Sequence, residues 1–414
     1  METSFSILLV AGVSAPFLCA ALIALFWPCI GEKSARALSA AFSGISLAAA
    51  LVLWGVYMAN YGLNIGFAFV TPSFMSWAGI PSMGLNGVSM PIFAMAAIVG
   101  FAAVLWAAKT DIRNPRLYFL LLMVMQGGLM GAFASTNLLW MYMFHEFALV
   151  PTFIAMSVWG GAGKRMAAMQ MAVYLTLGAL ISLIGIIAIY VQTNAASFGL
   201  QDIVLALAAL PMSDSWQSCV FALLLFGLGT LVSLFPFYTW APRTYSAAPT
   251  SFAMLHAGVL KKFGLYVLIQ AAVPLLPAGC ANWAYALAVL ALFNVVYIGL
   301  VTMAQRDLKM MVSYSSVAHM GLCFLGIASM SVLGVGGAVL LMFGHGLSVA
   351  LLFMLSKPLL EKKDHRGTVF VFAALLAVAL AGRIVIACSV PGYQVDINCF
   401  TAWSMRMADV GPAG

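Results

Sequence analysis

Apolar stretches of roughly 20 residues, the length that a helix needs to cross a bilayer, recur along the whole chain. Inside a bilayer the backbone N–H and C=O groups have no water to bind, so only helices and closed barrels can span it. The 414 residues are 64% hydrophobic and only 7% charged, and their mean hydropathy is +1.08. Too few charges remain to cover a soluble surface. The sequence therefore predicts an all-α polytopic membrane protein.

The apolar stretches predict about twelve membrane spans. The first of them is too long for the apolar region of a cleavable signal peptide, and no small-residue cleavage site follows it. We therefore interpret it as a span. The predicted spans are 4–27, 36–58, 88–108, 117–134, 138–157, 167–191, 216–239, 248–272, 281–301, 309–330, 333–356 and 368–390.

Basic residues occur in every second connection between these spans. Every Lys and Arg except Lys261, Lys262, Arg383 and Arg406 lies in or beside the connections at 28–35, 109–116, 159–166, 240–247, 302–308 and 357–367. The intervening connections hold neither residue type. This alternation follows the positive-inside rule. It predicts basic loops in the cytoplasm and an N-terminus on the outer side, in a bacterial inner membrane.

The sequence lacks the motifs that bind redox cofactors or metals. The seven cysteines are scattered, and no pair has CxxC or metal-ligand spacing. There is no GxGxxG after a predicted strand and no P-loop. We therefore expect no cofactor and no metal in this chain. The pI of 9.1 is explained by the basic loops rather than by nucleic-acid binding.

Two spans are predicted to be broken, around the proline-rich segment that joins them. The segment LVSLFPFYTWAPRTYSAAPTS holds Pro236, Pro242 and Pro249. Proline removes a backbone donor from a helix, and at membrane depth this is tolerated only inside protein or beside water. Interrupted helices of this kind mark ion pathways in transporters. The alternative is an ordinary helix end followed by a proline-rich loop.

Glu146 is the only carboxylate predicted at the centre of a span, and His145 precedes it. A carboxylate in a dry site without a partner becomes neutral by taking up a proton. Beside a lysine it stays ionised, and the proton affinities of the two groups become coupled. Glu146 is therefore a candidate for proton transfer, with His145 as a secondary candidate. The alternative is a structural glutamate that forms a hydrogen bond with a neighbouring helix.

Lys261 and Lys262 lie in the middle of the otherwise apolar segment LHAGVLKKFGLYVLIQ. A charge at that depth costs at least ~2.5–3.5 kcal/mol. Consecutive residues are about 100° apart around an α-helix, so the two side chains should point to different neighbours. A buried lysine takes up and releases protons readily, which makes both residues candidates for proton transfer. The alternative is that both side chains snorkel to a membrane surface.

His319 and His345 also fall within predicted spans, in VSYSSVAHMGLCFLGI and LMFGHGLSVALL. Imidazole titrates near neutrality and has two nitrogens, so each is a candidate proton relay. Taken singly, each could equally be a hydrogen-bonded core histidine. With Glu146 and a lysine they would form a chain of titratable groups through the membrane. His256, near the end of its span, is a secondary candidate.

Several long segments together resemble one known family. They are FHEFALVPTFIAMSVWGG, WGGAGKRMAAMQMAVYLTLGAL, FPFYTWAPRTYSAAPTSFAMLHAGVLKKFGLYVL, RDLKMMVSYSSVAHMGLCFLGI and FGHGLSVALLFML. The resemblance is to the antiporter-like membrane subunit called M, or subunit 4, of type I NADH:quinone oxidoreductase (respiratory complex I). It extends from the N-terminus to about residue 366.

The resemblance implies an antiporter-like fold with two inverted five-helix repeats, each containing a broken helix. Residues 1–116 would be N-terminal helices. Residues 117–272 would form the first repeat, with its broken helix near 231–247, and residues 281–366 part of the second. The implied function is proton translocation in the membrane arm of an electron-transport complex, driven by quinone reduction in partner subunits. NADH, flavin and quinone would bind to those subunits and not to this chain.

The resemblance also assigns site residues. Glu146 matches the essential glutamate of the fifth helix of the family, and Lys262, not Lys261, matches the lysine of the eighth. His319 and His345 match histidines of the central water-filled axis. The lysine that the family carries in its broken seventh helix falls at Leu231, which cannot titrate. Either another group replaces that lysine, for example Lys261 or Lys262, or the first half-channel is impaired.

The segment 367–414 departs from the family pattern, in which a second broken helix and a glutamate for proton exit follow. The fold is therefore expected to be C-terminally incomplete, with an atypical last helix and outer loop. This segment is similar to the first helix and outer loop of lipid-linked sugar transferases, with Asp396 in the loop. A truncated or fused gene product would explain why the resemblance changes at this point of the chain.

Other functions remain compatible with the sequence. Related subunits serve multisubunit cation/proton antiporters and membrane-bound hydrogenases. A degenerate structural subunit that fills a place in the membrane arm without conducting protons is a further alternative. A stand-alone glycosyltransferase would explain only the last ~45 residues, which is shorter than a typical domain.

Overall fold

The computed structural model of the chain describes residues 2–60, 66–71 and 82–361. Several predictions lie outside these residues: the span 368–390, the basic side chains of Lys362, Lys363, Arg366, Arg383 and Arg406, the loop residue Asp396, and the atypical segment 367–414 as a whole. The described residues include the first eleven predicted spans.

The described residues are nearly all helical. Isolated β-bridges join Ala68 to Leu85, Met83 to Ser135 and Asn137 to Gly199. The α-helices are α1 (Glu2–Leu25), α2 (Glu32–Asn60), α3 (Ser89–Ala108), α4 (Pro115–Ala134), α5 (Leu138–Trp159), α6 (Lys164–Thr193), α7 (Leu200–Ala209), α8 (Asp214–Val232), α9 (Trp240–Ala247), α10 (Thr250–Gly258), α11 (Phe263–Val267), α12 (Val273–Leu275), α13 (Pro277–Met303), α14 (Leu308–Ala328) and α15 (Val332–Glu361).

Among the described residues, 11 helical segments are long and apolar enough to cross a membrane. They coincide with the first eleven predicted spans, and most of their ends lie within a few residues of the predicted ones. One element was not predicted: the connection 192–215 contains α7, whose 10 residues are too few to cross a bilayer.

Side-chain caps define where two of the spans begin. The Asn137 carboxamide oxygen accepts hydrogen bonds from the backbone N–H groups of Leu139 and Trp140, at the start of α5. The Asp307 side chain accepts one from Met310 N at the start of α14. Each cap satisfies backbone donors that have no partner within the first turn of a helix. The helices that begin at these caps carry Glu146 and His319.

The span predicted at 216–239 is shorter in the structure, because α8 ends at Val232. Ser233 then adopts a left-handed conformation with φ +73°, and the Phe235–Pro236 peptide bond is cis. A second, 8-residue helix, α9, follows before the chain enters α10. The proline-rich segment therefore forms an interrupted helix rather than a plain helix end.

The next span, Thr250–Leu275, is also irregular. After α10 the backbone forms a 3-10 turn at Leu260–Lys262, resumes an α-helix in α11, and then forms a π-helical turn at Leu268–Ala272. Residues 251–269 are all buried. Short 3-10 and π segments inside a span are common at functional sites. This span lies at the centre of the bundle, where its polar side chains are shielded from lipid.

Helix packing places the central span between several others. The helix α10 packs on α3 and α15, and α5 touches both α10 and the 3-10 turn. Gly258 makes the approach of α10 to α15 possible, because a Cβ at this position would lie 3.0 Å from the carbonyl oxygen of Gly346. This close approach positions the 3-10 turn beside the residues of α15.

Candidate functional site

The side chain of Lys262 lies in a buried polar contact with α15. Its Nζ donates to the carbonyl oxygen of Ala257 at 2.5 Å and lies 2.9 Å from Nδ1 of His345. Lys262 is 0% exposed and His345 is 6% exposed. The ring of His345 lies 5.2 Å from that of His319 on α14, measured between centroids. The fold thus brings together three of the four main residues that the sequence predicted.

The hydrogen bonds of the two histidines indicate which ring nitrogen carries the proton. Nδ1 of His319 lies 2.7 Å from the carbonyl oxygen of Ser315, which can only accept, so Nδ1 holds the proton. Nδ1 of His345 must accept if the Lys262 ammonium donates to it, so its proton is on Nε2. The Nε2 of a neutral His319 can then accept a proton from His345. The two tautomers are complementary for transfer away from Lys262.

Lys261 points to a different part of the bundle. Its Nζ lies 5.4 Å from the centroid of the Tyr245 ring on α9. The ring of His256, on α10, lies 5.1 Å from that of Tyr245 and 5.6 Å from that of Trp240. We call Lys261, Tyr245 and His256 the Lys261 pocket. All three residues are at most 1% exposed.

The two lysines therefore have separate surroundings, as helical geometry predicts. A regular α-helix was expected through both residues. In the structure they lie in a 3-10 turn, where consecutive side chains are about 120° apart rather than 100°. Neither side chain snorkels to the surface, because Lys261 and Lys262 are 1% and 0% exposed.

His145 and Glu146 lie at the edge of the bundle on α5. Nδ1 of His145 is 3.6 Å from Oε1 of Glu146, and their side chains are 2% and 29% exposed. The ring of His145 stacks on that of Phe263, with 4.3 Å between centroids. Phe263 follows Lys262 directly, so His145 lies between Glu146 and the lysine turn.

Glu146 does not form an ion pair with either lysine. Within the described part of the chain, His145 is its sole ion-pair contact at 4.0 Å or less. Leu231 is 4% exposed and lies in the last turn of α8, directly before the interruption. The coupled Glu–Lys contact considered from the sequence is therefore absent among the described residues.

Sequence reasoning missed two polar residues of this region. Tyr245 lies in the proline-rich segment, and no feature of the sequence there distinguishes it from the other aromatic residues. Asn294, on α13, is 0% exposed and binds the backbone of the interruption. A lone asparagine within the apolar stretch ALFNVVYIGL was the signal that could have identified it. Among the described residues, no three His, Cys, Asp or Glu side chains form a metal-binding group.

The arrangement can store and exchange protons within a helix bundle. It offers one lysine in contact with a histidine that lies beside a second histidine. It also offers a second lysine over a tyrosine ring that lies beside a histidine, and a carboxylate beside a histidine. Lysine, histidine and carboxylate side chains are groups that carry out general acid–base chemistry in proteins.

Residues 135–390 match the family described as NADH:quinone oxidoreductase/Mrp antiporter, TM. This match extends beyond residue 366, where the resemblance of the sequence segments was expected to end. NAD(P)H-quinone oxidoreductase chain 4 of Gloeobacter violaceus is 34% identical over 274 residues, which are 66% of this chain and 51% of that protein. Chain 4-2 of Synechocystis is 32% identical over 344 residues, with 80% and 59% covered. The chain thus spans little more than half the length of these curated relatives.

Solved structures share the fold. A chain of respiratory complex I from Thermus thermophilus with bound NADH superposes with a TM-score of 0.73 at 27% identity, covering 85% of this chain and 71% of that one. A chain of the Mrp complex from Dietzia superposes with a TM-score of 0.69 at 18% identity, covering 83% and 37%. The antiporter-like fold expected from the sequence is confirmed.

Proposed function

Because the chain belongs to the NADH:quinone oxidoreductase/Mrp antiporter membrane family, we propose that it is a proton-translocating membrane-arm subunit of an NADH:quinone oxidoreductase. The observation that carries the proposal is the 2.9 Å contact between Lys262 and His345 inside a fully buried span. A buried ammonium is costly. A structural role alone would be served equally well by an apolar side chain.

The proposed mechanism uses Lys262 as the central proton carrier. Lys262 gives a proton to Nδ1 of His345, and His345 releases its Nε2 proton to Nε2 of His319. Lys262 becomes a neutral amine, His345 returns to a neutral ring and His319 becomes an imidazolium. The charge of Glu146 biases the proton affinity of these groups through His145, since a nearby carboxylate favours the charged form of a base.

Quinone reduction would take place in partner subunits, which supply the energy that drives the transfer. This chain contributes proton-carrying side chains, and we assign it no binding site for NADH, flavin or quinone. The relatives that support this assignment are named as chains of NAD(P)H-quinone oxidoreductases.

A neighbouring membrane subunit is the proposed partner of the outer face of α5. Glu146 is 29% exposed on this face, between Met143, Phe147 and Val150, which are 39%, 42% and 53% exposed. A carboxylate surrounded by exposed apolar side chains at membrane depth is too costly to face lipid. A partner that covers it with a basic or hydrogen-bonding side chain removes that cost.

We further propose that the protein lies in a bacterial inner membrane with its basic loops in the cytoplasm. The charge alternation along the sequence supports this orientation. The cyanobacterial source of its relatives supports a bacterial membrane.

The test is the substitution Lys262→Ala in the assembled complex. We expect proton pumping, measured with a pH-sensitive dye in membrane vesicles supplied with NADH and quinone, to be lost while the complex still assembles. Lys33→Ala, at an exposed lysine outside the bundle, is the control and should pump normally. Unchanged pumping in the Lys262→Ala vesicles would contradict the assignment of Lys262 as the central proton carrier.

A second candidate function is a non-conducting structural subunit. The buried, non-titratable Leu231 at the interruption of α8 favours it. In that case the Lys262→Ala complex pumps as the unmodified complex does.

A subunit of a cation/proton antiporter shares the fold, and it would instead show a proton flux that depends on a sodium gradient and not on NADH.

A further inference from the structure

The Lys261 pocket contains three buried polar atoms that the protein itself leaves unsatisfied. Within the described residues, Nζ of Lys261, the Tyr245 hydroxyl and Nδ1 of His256 have no hydrogen-bond partner. Each side chain is at most 1% exposed. Other buried polar side chains nearby do have partners: Lys262 contacts His345 and a carbonyl oxygen.

Packing does not explain this cluster. A protonated Lys261 would gain a cation–π contact with the Tyr245 ring. This contact satisfies none of the three donor protons of an ammonium. Buried polar groups in proteins are nearly always hydrogen-bonded, to protein or to ordered water. Three unsatisfied groups around one ring form the polar surroundings that a buried water needs, since such a water typically makes about three hydrogen bonds.

The pocket also continues towards the edge of the bundle. His145 stacks on Phe263, which is two residues after Lys261. Helix α5 packs against the 3-10 turn that carries Lys261 and against α10, which carries His256. Nδ1 of His145 and Oε1 of Glu146 are likewise buried atoms without a hydrogen bond in the described part of the chain. Buried polar atoms without a hydrogen bond thus occur on Glu146 and His145 as well as in the Lys261 pocket.

We propose that Lys261, Tyr245 and His256 form a buried water-binding site that holds a proton between Glu146 and Lys262. The site is separate from the Lys262–His345 contact, and its proton-holding role rests on the function proposed above. Water binding itself does not depend on that function.

A single water can carry the proton from Lys261 to His256. A bound water accepts a proton from the Lys261 ammonium and gives one of its own protons to Nδ1 of His256. Lys261 becomes a neutral amine, His256 becomes an imidazolium, and the water is regenerated. The Tyr245 hydroxyl orients the water by a hydrogen bond and does not change its own protonation. Tyr245 is thus a positioning residue, whereas Lys261 and His256 carry the proton.

X-ray hydroxyl-radical labelling of the unmodified, assembled complex tests water binding. Radicals form at bound water, so a buried side chain beside water is labelled and one without water is not. We expect labelling of Tyr245 and His256. The matched controls are Tyr266 and Tyr118, which are buried and whose hydroxyls bind the carbonyl oxygen of Phe133 and the Ser251 hydroxyl. Labelling of Tyr245 no stronger than that of Tyr266 would overturn the proposal.

Two substitutions test the proton-holding role. Tyr245→Phe keeps the ring beside Lys261 and removes only the hydroxyl, and the loss of one hydrogen bond should slow pumping about fivefold. Lys261→Met should slow it further and reduce labelling of His256. Tyr266→Phe, at an equally buried tyrosine outside the pocket, should pump normally.

The outcomes separate this proposal from the proposed function. If Lys262→Ala pumps normally but Tyr245 is labelled, the subunit is not a pump and the pocket still binds water. If Lys262→Ala abolishes pumping and Tyr245 is not labelled, the proposed pumping function is supported and the proposed water-binding site is rejected. Strong labelling with normal pumping in both Tyr245→Phe and Lys261→Met overturns the proton-holding role.

Discussion

At the scale of single residues, the lysine pair shows how far adjacent side chains can differ. Lys262 is held by a carbonyl oxygen and an imidazole nitrogen, whereas Lys261 faces an aromatic ring. The 3-10 turn separates them, because it rotates successive side chains by about 120°. A substitution at one of these positions should therefore leave the contacts of the other intact.

The two relay histidines should differ in their contribution to stability. His345→Phe removes an acceptor from a buried ammonium, which costs ~1–3 kcal/mol or more. His319→Phe removes a hydrogen bond to a carbonyl oxygen of its own helix, at a partly exposed position, and should cost less. We expect a lower thermal denaturation midpoint for the His345→Phe complex than for the His319→Phe complex. Equal midpoints would contradict the assigned contact, and both variants should pump poorly.

At the scale of elements, the interruption between α8 and α9 is stabilised by a residue from another helix. The Asn294 amide donates to the carbonyl oxygens of Ser233 and Val317 at 3.0 and 3.2 Å, and its oxygen accepts from Phe235 N at 2.7 Å. The Trp240 indole donates to the carbonyl oxygen of Thr230 at 3.0 Å. An irregular backbone inside a membrane needs such partners, because no water is available to replace them.

Asn294→Leu should therefore destabilise the interruption. It leaves a backbone N–H without its acceptor and two carbonyl oxygens without this donor, at ~1–3 kcal/mol for each group left unsatisfied. Asn282→Leu is the matched control, because Asn282 lies on the same helix but is exposed. Limited proteolysis in detergent should cut residues 233–239 faster in the Asn294→Leu protein than in the control. Equal cutting rates would show that the amide is not needed.

At the scale of the whole molecule, two exposed faces among the described residues differ in the charge that they carry. The exposed face of α13 carries no charged side chain, and Leu292, Val296 and Leu300 on it are at least 52% exposed. The face of α5 is similar but includes the Glu146 carboxylate. Lipid can cover the first face without cost, whereas the proposed neighbouring subunit would cover the second face and its carboxylate.

Photo-crosslinking can distinguish these two faces in the assembled complex. Val150 on α5 and Val296 on α13 are both 53% exposed, which makes them a matched pair. A benzophenone amino acid in place of Val150 should crosslink to a neighbouring subunit, and one in place of Val296 should not. Mass spectrometry of the crosslinked bands identifies the partner. Capture of protein from Val296 alone would reverse the assignment of the faces.

The sequence by itself determined the membrane class, the eleven described spans and the candidates Glu146, Lys262, His319 and His345. These follow from local information, because apolar length sets each span and a lone ionisable residue within a span is conspicuous. It did not predict α7, which is apolar but too short to be recognised as a span, or the roles of Tyr245 and Asn294.

Only the tertiary structure decided which candidates meet. Lys262 and His345 are 83 residues apart, and they touch because Gly258 lets α10 approach α15. Glu146 lies at the edge of the bundle rather than beside a lysine, because α5 packs with its apolar stripe outward. Such contacts depend on the packing of helices that are distant in sequence, and hydropathy along one chain does not encode that packing.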